Sequence, residues 1–188
     1  MRHKYSTSAI VLTRTPLGEA NVLVALLTPD LGLVHVRAQG VRRSGAKLAP
    51  ALQTLSECRV ALVRGKEAWR LSGALEATNH FNALSRAARE RAARVASLLL
   101  RLVRGEHAEP ELFRTYAEFM GALPALSEVE QDAAECLAAL RILRVLGFDD
   151  GPASDSRTDF ASISLAEIIR ARSAIVARVN RGIAASGL

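Results

Sequence analysis

Four cationic side chains lie close together in one stretch of the chain, residues 33–48, which read LVHVRAQGVRRSGAKL. The stretch contains no acidic residue, and its cations are Arg37, Arg42, Arg43 and Lys47. Uncompensated cations on a strand and its exit loop suit a polyanion, above all the phosphates of a nucleic acid. The alternative is a solvated basic loop that maintains solubility.

The first half of this stretch has the pattern of a β-strand that would position the cations. Apolar and polar residues alternate from residue 34 to residue 39, and Arg37 is one of the polar set. A period of two predicts a half-buried strand with a polar, partly cationic outer face. Gly40 and Gly45 flank the basic segment that follows, so we expect an exposed loop there.

Net charge is divided unevenly along the chain. Residues 1–80 contain 11 Lys and Arg against 5 Asp and Glu, whereas residues 81–188 contain 14 of each kind. The whole excess of +6 therefore lies in the N-terminal part, which favours a polyanion-binding domain over a surface that is basic only for solubility. Residues 105–160 contain 12 Asp and Glu against 4 Lys and Arg, and we expect this acidic stretch to oppose DNA.

The N-terminal part has the pattern of a small barrel. Short β-type runs begin at about ten-residue intervals, over residues 6–14, 21–28, 33–39, 54–63 and 68–76. Five such strands predict a closed five-stranded barrel of the OB type, whose strand 2–3 face commonly binds oligonucleotides. Residues 40–53 leave little room for the helix that often follows strand three, and Pro50 discourages it.

From residue 79 the apolar period becomes helical. It predicts four helices, over residues 82–104, 110–123, 128–146 and 164–185. Ser127 with Glu130 and Ser164 with Glu167 have the spacing of capping boxes. We therefore predict an α+β protein, with an OB-fold domain at residues 1–78 and an all-α domain at residues 79–188.

Arginines also recur at helical spacing within residues 82–104. They are Arg86, Arg94, Arg101 and Arg104, and Glu90 lies among them. This pattern favours a solvated helix face over a second DNA contact.

Several kinds of chemistry have no matching pattern. The chain lacks a phosphate-binding glycine loop, a G-x-S-x-G motif and an H-E-x-x-H motif, and its N-terminal acids are solitary, so we predict a protein without enzyme activity. Cys58 and Cys136 are far apart and have no ligand spacing, which predicts no metal site and no cofactor. No apolar run approaches the roughly 18 residues that cross a bilayer, so we expect a cytoplasmic protein with no membrane contact.

Aromatic residues are scarce in the N-terminal part, where only Tyr5 and Trp69 occur. Proteins that bind single strands usually stack bases on aromatic side chains. Trp69 has the position to stack one base, but a lone tryptophan in a small barrel is more often part of the core. We therefore expect binding driven mainly by phosphate contacts and tolerant of base sequence.

Three stretches resemble the RecO recombination mediators of bacteria. They are AIVLTRTPLGEANVLVALLTPDLGLVHVRAQGVRRSGAKLAPALQ in the predicted barrel, LRILRVLGF at residues 140–148, and the terminal VNRGIAASGL. The first is fairly specific, because it combines a P-x-G-E turn, a T-P-D-x-G turn and a G-x-R-R loop with the strands between them. The resemblance covers residues 5–148 and then residues 164 onward.

This resemblance implies an N-terminal OB fold, a helical domain and a non-enzymatic role at the nucleoid. It implies binding of single- and double-stranded DNA, strand annealing, action with RecR, and recombinase loading during gap repair. It also implies binding of the acidic C-terminal tail of single-strand-binding protein. The implied DNA contacts are Arg37, Arg42, Arg43, Lys47 and, as a looser match, Arg14. Candidates for the tail contact are Arg141 and Arg144, for which a surface ion pair is the alternative.

The chain departs from the family pattern in one region. Many members carry a four-cysteine zinc module between the L-G-F helix and the last helix, but here a loop over residues 149–163 without cysteine takes its place. Zinc is therefore not expected. An alternative function of a different class is a protein-interaction scaffold, whose basic barrel binds an acidic protein partner instead of DNA.

Overall fold

The computed structural model describes residues 4–43, 45–46, 48–65, 68–151 and 159–187, without the side chains of residues 76, 77, 162 and 163. These residues form two compact units. The first comprises the chain up to Ala83 together with Arg104–Phe113, and the second comprises Leu84–Val103 and the chain from Arg114 onward. Within the described part of the chain, no helix combines the length and the apolar character that a membrane span requires.

The first unit is built on a closed five-stranded barrel with the strand order β1-β2-β3-β5-β4, which confirms the predicted fold class. Neighbouring strands are antiparallel except β3 and β5, which are parallel. The strands are β1 (Lys4–Leu17), β2 (Asn21–Thr28), β3 (Gly32–Ala38), β4 (Ser56–Arg64) and β5 (Trp69–Asn79).

The alternation predicted for the third strand is confirmed. In β3, Val34, Val36 and Ala38 are buried in the barrel core, whereas His35 and Arg37 are exposed. The barrel core is apolar, since Val, Leu and Ala side chains from the strands fill most of it. Because burial of apolar surface drives folding, the inward set fixes the register and leaves Arg37 on the outer face.

The linker between β3 and β4 contains no helix in its described residues, as its length and Pro50 predict. Successive backbone hydrogen bonds join residues three apart: Arg43 N to Gly40 O, Ala46 N to Arg43 O, Ala49 N to Ala46 O, and Gln53 N to Pro50 O. Each of these bonds closes a turn. Tight turns therefore constrain the described backbone of this linker.

The second unit is arranged around one central helix. Its helices are α2 (Arg86–Leu102), α3 (Pro110–Ala122, whose first residues up to Phe113 belong to the first unit), α4 (Glu128–Val145), α5 (Ser162–Arg170) and α6 (Arg172–Ala185), while the short α1 (His80–Ala83) belongs to the first unit. α4 packs against α2, α5 and α6. Residues on most faces of α4 are buried because three helices surround it. Tyr116, Phe119 and Leu99 are fully buried in this unit.

The helix ends differ from the sequence prediction at three places. The first predicted helix is divided, since α1 ends at Ala83 and Ser85 caps α2 by accepting a hydrogen bond from Ala88 N. The last predicted helix is divided at Ala171. The capping box predicted at Ser164 is wrong because α5 begins at Ser162, whereas the one at Ser127 is confirmed.

Asp132 on α4 joins two helices through arginine. Arg172 donates to its carboxylate from Nε at 2.5 Å and from Nη2 at 3.2 Å, and Arg91 Nη1 lies 3.2 Å from Oδ1. The Arg172 hydrogen bonds hold the pKa of Asp132 below its usual value, against the opposing effect of burial. A lowered folded-state pKa stabilises the protein above the unfolded-state pKa of about 3.9, and this stabilisation is lost as the pH falls through the folded-state pKa.

We expect the Asp132→Asn substitution to lower the free energy of unfolding at neutral pH by an amount that shrinks as the pH falls below about 4. The measurement is denaturant unfolding of both proteins at a series of pH values. A difference between the proteins that stays constant down to about pH 3 would show that the Asp132 charge does not stabilise the fold.

Candidate functional site

The exposed cation of β3 has a second arginine beside it. Arg37 is paired with Arg70 across the parallel β3–β5 contact, and both side chains are exposed. The neighbouring pair in the same contact, Val36 with Trp69, is buried. The two arginines therefore project side by side from the outer surface of the barrel.

A cross-strand row extends this pair in both directions. Arg70 is paired with Val63 of β4, and Val63 is paired with Lys4 of β1. On the other side, Arg37 is paired with Leu23 of β2. We call Lys4, Arg70 and Arg37 the cationic row; it crosses three strand spacings, or about 14 Å. Between its cations lies half-buried Val63, so the row combines positive charge with some apolar surface.

The loop after β3 is tied to the turn between β1 and β2. Arg42 donates from Nη1 to the carbonyl of Gly18 at 2.7 Å, and its backbone N–H donates to Ala20 O at 3.1 Å. Gly40 N donates to Asn21 Oδ1 at 3.0 Å. The guanidinium of Arg42 has further donors. Arg42 therefore holds the two loops together and retains N–H groups for a ligand.

Arg43 stays exposed and folds back over the loop. Its Cδ would lie 3.9 Å from a Cβ at position 40, where the backbone has a φ of +70° and glycine avoids the strain of a side chain. Arg43 is therefore on the same loop as Arg42, one turn from the end of β3.

The other predicted DNA contacts are not part of this arrangement. Arg14 is paired across the β1–β2 contact with Val24, a core residue, and it donates from Nη1 to Gln53 Oε1 at 3.3 Å. It is therefore not part of the cationic row. Lys47 lies outside the described residues. The predicted role of each as a DNA contact stays a prediction.

The cations of the row and of the basic loop differ from those of the helices in their partners. Among the residues that the structure describes, no acidic side chain forms an ion pair with Arg37, Arg42, Arg43 or Arg70. In contrast, Arg86 is 3.1 Å from Glu90, and Arg94 is 2.5 Å from Glu135. This supports the solvated, ion-paired interpretation of the helix face.

Trp69 belongs to the core, as its isolation in the sequence suggests. It is 4% exposed and lies inside the barrel with Val36, so its ring is not accessible to a base. The guanidinium of Arg64 lies 4.8 Å from the ring centroid, and Arg64 also forms an ion pair with Glu106. Both groups of the Arg64 side-chain contacts, with Trp69 and with Glu106, are therefore made within the protein.

The two candidate residues for the acidic tail lie on α4. Arg141 is 8% exposed, its guanidinium lies 4.7 Å from the Phe160 ring, and its Nη1 is 3.5 Å from Glu118. Arg144 is half-buried. Both therefore have neighbours within the helical unit, and their predicted role in binding a partner stays a prediction.

Nothing in the described part of the chain points to catalysis by a metal. No group of three or more His, Cys, Asp or Glu side chains in those residues has the arrangement of a metal site. Cys58 is buried in the barrel, and burial raises its pKa to about 11, so its thiol is not activated as a nucleophile.

Arg70 is a residue of the candidate site that no sequence pattern singled out. Arg70 and Arg37 lie on strands that are far apart in the chain, and only the closure of β3 against β5 brings them together. A signal for Arg70 exists, because it follows buried Trp69 in a strand and so must face outward. This alternation does not predict that Arg37 lies beside Arg70 on the neighbouring strand.

The fold and the row together define a class of protein: an OB-fold barrel with a cationic row that has no acidic partner among the described residues, followed by an all-α unit. Residues 1–79 match the family described as Recombination protein O N terminal. The chain belongs to the RecO family.

Two relatives illustrate the extent of the similarity. The chain is 37% identical to the DNA repair protein RecO of Synechococcus elongatus over 133 residues, which are 69% of this chain and 49% of that protein. It is 41% identical to the DNA repair protein RecO of Dehalococcoides mccartyi over 71 residues, which are 38% of this chain and 28% of that protein. The chain spans about half the length of the Synechococcus relative that it matches.

Proposed function

We propose that this protein is a non-enzymatic DNA-binding protein of recombinational repair, whose barrel holds DNA by its phosphates. The observation that carries the proposal is the adjacent pair Arg37 and Arg70, which has no acidic partner among the described residues. Like charges directly opposite on neighbouring strands destabilise a sheet. A bound phosphate chain relieves that repulsion, so the pair is suited to an anionic ligand.

The surrounding geometry supports the same ligand. Lys4 continues the row, and exposed Arg42 and Arg43 stand on a loop that successive turns constrain. Phosphate contacts of this kind carry no base-sequence information. We therefore propose binding of single- and double-stranded DNA without sequence preference.

The family supports a wider proposal about partners. The curated relatives are named DNA repair proteins. On that basis we propose strand annealing and recombinase loading with RecR and single-strand-binding protein, at the nucleoid in the cytoplasm. Arg141 and Arg144 remain the proposed contacts for the acidic tail; because Arg141 is buried, Arg144 is the more accessible of the two.

The test of DNA binding is an anisotropy titration with a labelled oligonucleotide at several salt concentrations. Arg70→Ala should lower the magnitude of the log–log slope on a single strand by about 0.7, because one phosphate contact is lost. We choose Arg70 over Arg42 because the side chain of Arg42 also supports the loop.

Arg59→Ala is the matched control. Arg59 is an exposed barrel arginine on β4, paired with Ser8 and Leu75, and it lies about 13 Å along the strand from Val63. Its removal changes the net charge equally and should leave the slope unchanged. Equal changes for both variants would mean that net charge, and not the cationic row, determines binding.

A scaffold that binds an acidic protein is the second candidate, and the same uncompensated cations support it. Competition separates the two. Displacement of the labelled oligonucleotide by unlabelled DNA but not by an acidic peptide supports DNA as the ligand, and the reverse order of potency supports the scaffold.

A further inference from the structure

A polar side chain begins β2 at the Arg37 end of the cationic row. Val22 and Val24 of β2 lie in the barrel core, so the alternation of the strand directs Asn21 and Leu23 to the outer side. Leu23 is the residue that is paired with Arg37. Asn21 therefore lies on the outer side of the barrel, about 7 Å along the strand from Leu23.

The side chain of Asn21 continues the contact between β2 and β3 where the pairing of the two strands ends. The register ends with Val22 paired with Ala38. Beyond that pair, Gly40 N donates a hydrogen bond to Asn21 Oδ1 at 3.0 Å. Gly40 has a φ of +70°, which turns the chain out of the strand and into the basic loop. A side chain therefore holds the first residue of the basic loop against the barrel.

The loop arginines follow directly from this anchored residue. Arg42 bonds to the β1–β2 turn through its backbone N–H, which donates to Ala20 O at 3.1 Å, and through its guanidinium, which donates to Gly18 O at 2.7 Å. Arg43 N donates to the carbonyl of Gly40 at 3.1 Å. The turn that carries Arg43 thus starts at Gly40, so the position of Gly40 sets the position of Arg43.

We propose that Asn21 is a positioning residue of the DNA-binding surface, which holds the basic loop at the Arg37 end of the cationic row so that Arg43 extends the row. The proposal rests on the proposed function, since it requires DNA on these cations. A loop that is ordered before binding loses less conformational entropy when its side chains contact phosphates. The amide oxygen of Asn21 is an uncharged acceptor, so it fixes the loop without adding a negative charge that would repel a phosphate.

The first test is a double-mutant cycle on the affinity for a labelled single-stranded oligonucleotide, measured by anisotropy. In otherwise wild-type protein, Arg43→Ala should lower the affinity about 3–10-fold. In the Asn21→Ala background it should lower the affinity by less than about twofold, because the loop no longer holds Arg43 beside the row. Arg70→Ala should have the same effect in both backgrounds, because Arg70 lies on a strand and not on the loop.

Two results of the cycle would overturn the proposal. Equal effects of Arg43→Ala in both backgrounds would mean that Asn21 does not position this side chain. An effect of Arg70→Ala that also shrinks after Asn21→Ala would mean that Asn21 acts through the barrel as a whole. In the first case, a clear effect of Arg70→Ala would leave the proposed function standing.

Hydrogen exchange of the Gly40 amide, followed by NMR, tests the anchor without DNA. Asn21→Ala should speed this exchange about 3–10-fold because one hydrogen bond is lost, whereas Asn21→Asp keeps an acceptor oxygen and should leave the rate unchanged. The amide of Val60 in β4 is the control and should exchange equally in all three proteins. Unchanged exchange at Gly40 after Asn21→Ala would overturn the positioning role. Faster exchange there, with no effect of Arg43→Ala or Arg70→Ala on affinity, would instead overturn the proposed function and with it the role of Asn21 in DNA binding.

Discussion

Arg37→Glu should lower the affinity of the protein for DNA by about 10–100-fold at low salt and, at the same time, raise the stability of the barrel. The substitution places a carboxylate opposite Arg70 in the β3–β5 contact. A cross-strand ion pair replaces a repulsive pair, which stabilises the sheet by about 0.2–1 kcal/mol. Two cations of the row then become unavailable to phosphates, and the salt slope on single strands should fall by about 1.4.

This prediction is specific because DNA affinity should fall while the stability of the barrel rises. Binding is measured by anisotropy and stability by denaturant unfolding of the same preparation. A general structural defect would lower both quantities together, so weaker binding with a less stable barrel would contradict the prediction. Arg59→Glu is the control, since it introduces the same charge change at an exposed barrel position outside the row.

Gly32→Ala should destabilise the barrel by about 2–5 kcal/mol. Gly32 begins β3 with a φ of +69°, a conformation that costs a residue with a side chain about 1–2 kcal/mol. A Cβ at this position would also lie 2.1 Å from the carbonyl oxygen of His107. That backbone must move, and overpacking of this kind costs about 1–3 kcal/mol more.

Gly18→Ala separates the two contributions. Gly18 has a φ of +66°, and a Cβ there would have no atom within 4 Å. It should therefore lose only about 1–2 kcal/mol. Both free energies of unfolding come from denaturant titration. Equal losses at the two positions would mean that the segment containing His107 moves away from β3 without cost.

The strands of the first unit are predictable because they are short and regularly patterned. The alternation from residue 34 to residue 39 placed Arg37 on the outer face, and the turn signals at Gly18 and Gly32 stand where the backbone has a positive φ. The burial of Trp69 also agrees with its sequence context. In each case a local pattern and the burial of apolar surface lead to the same arrangement.

The predicted helix boundaries are wrong where the local sequence signals are ambiguous. Helical periodicity continues through Ala171, so the residues there do not mark the break between α5 and α6. Ser164 has the sequence of an N-cap, but its hydroxyl bonds to Asp159, and Asp159 also accepts the backbone N–H of Ala161 at the start of the helix. The hydrogen-bond acceptor at the start of this helix is therefore Asp159, which precedes the residue that the capping pattern indicates.

By itself, the sequence determined the barrel, the helical unit, the outward direction of Arg37 and the excess of positive charge in the N-terminal part. These follow from periodicity and composition, which are properties of neighbouring residues. Only the tertiary structure placed Arg70 beside Arg37, set Arg14 apart from them and joined the side chain of Asn21 to Gly40. These contacts join strands that are distant in the chain, so they depend on how the barrel closes, which local patterns do not specify.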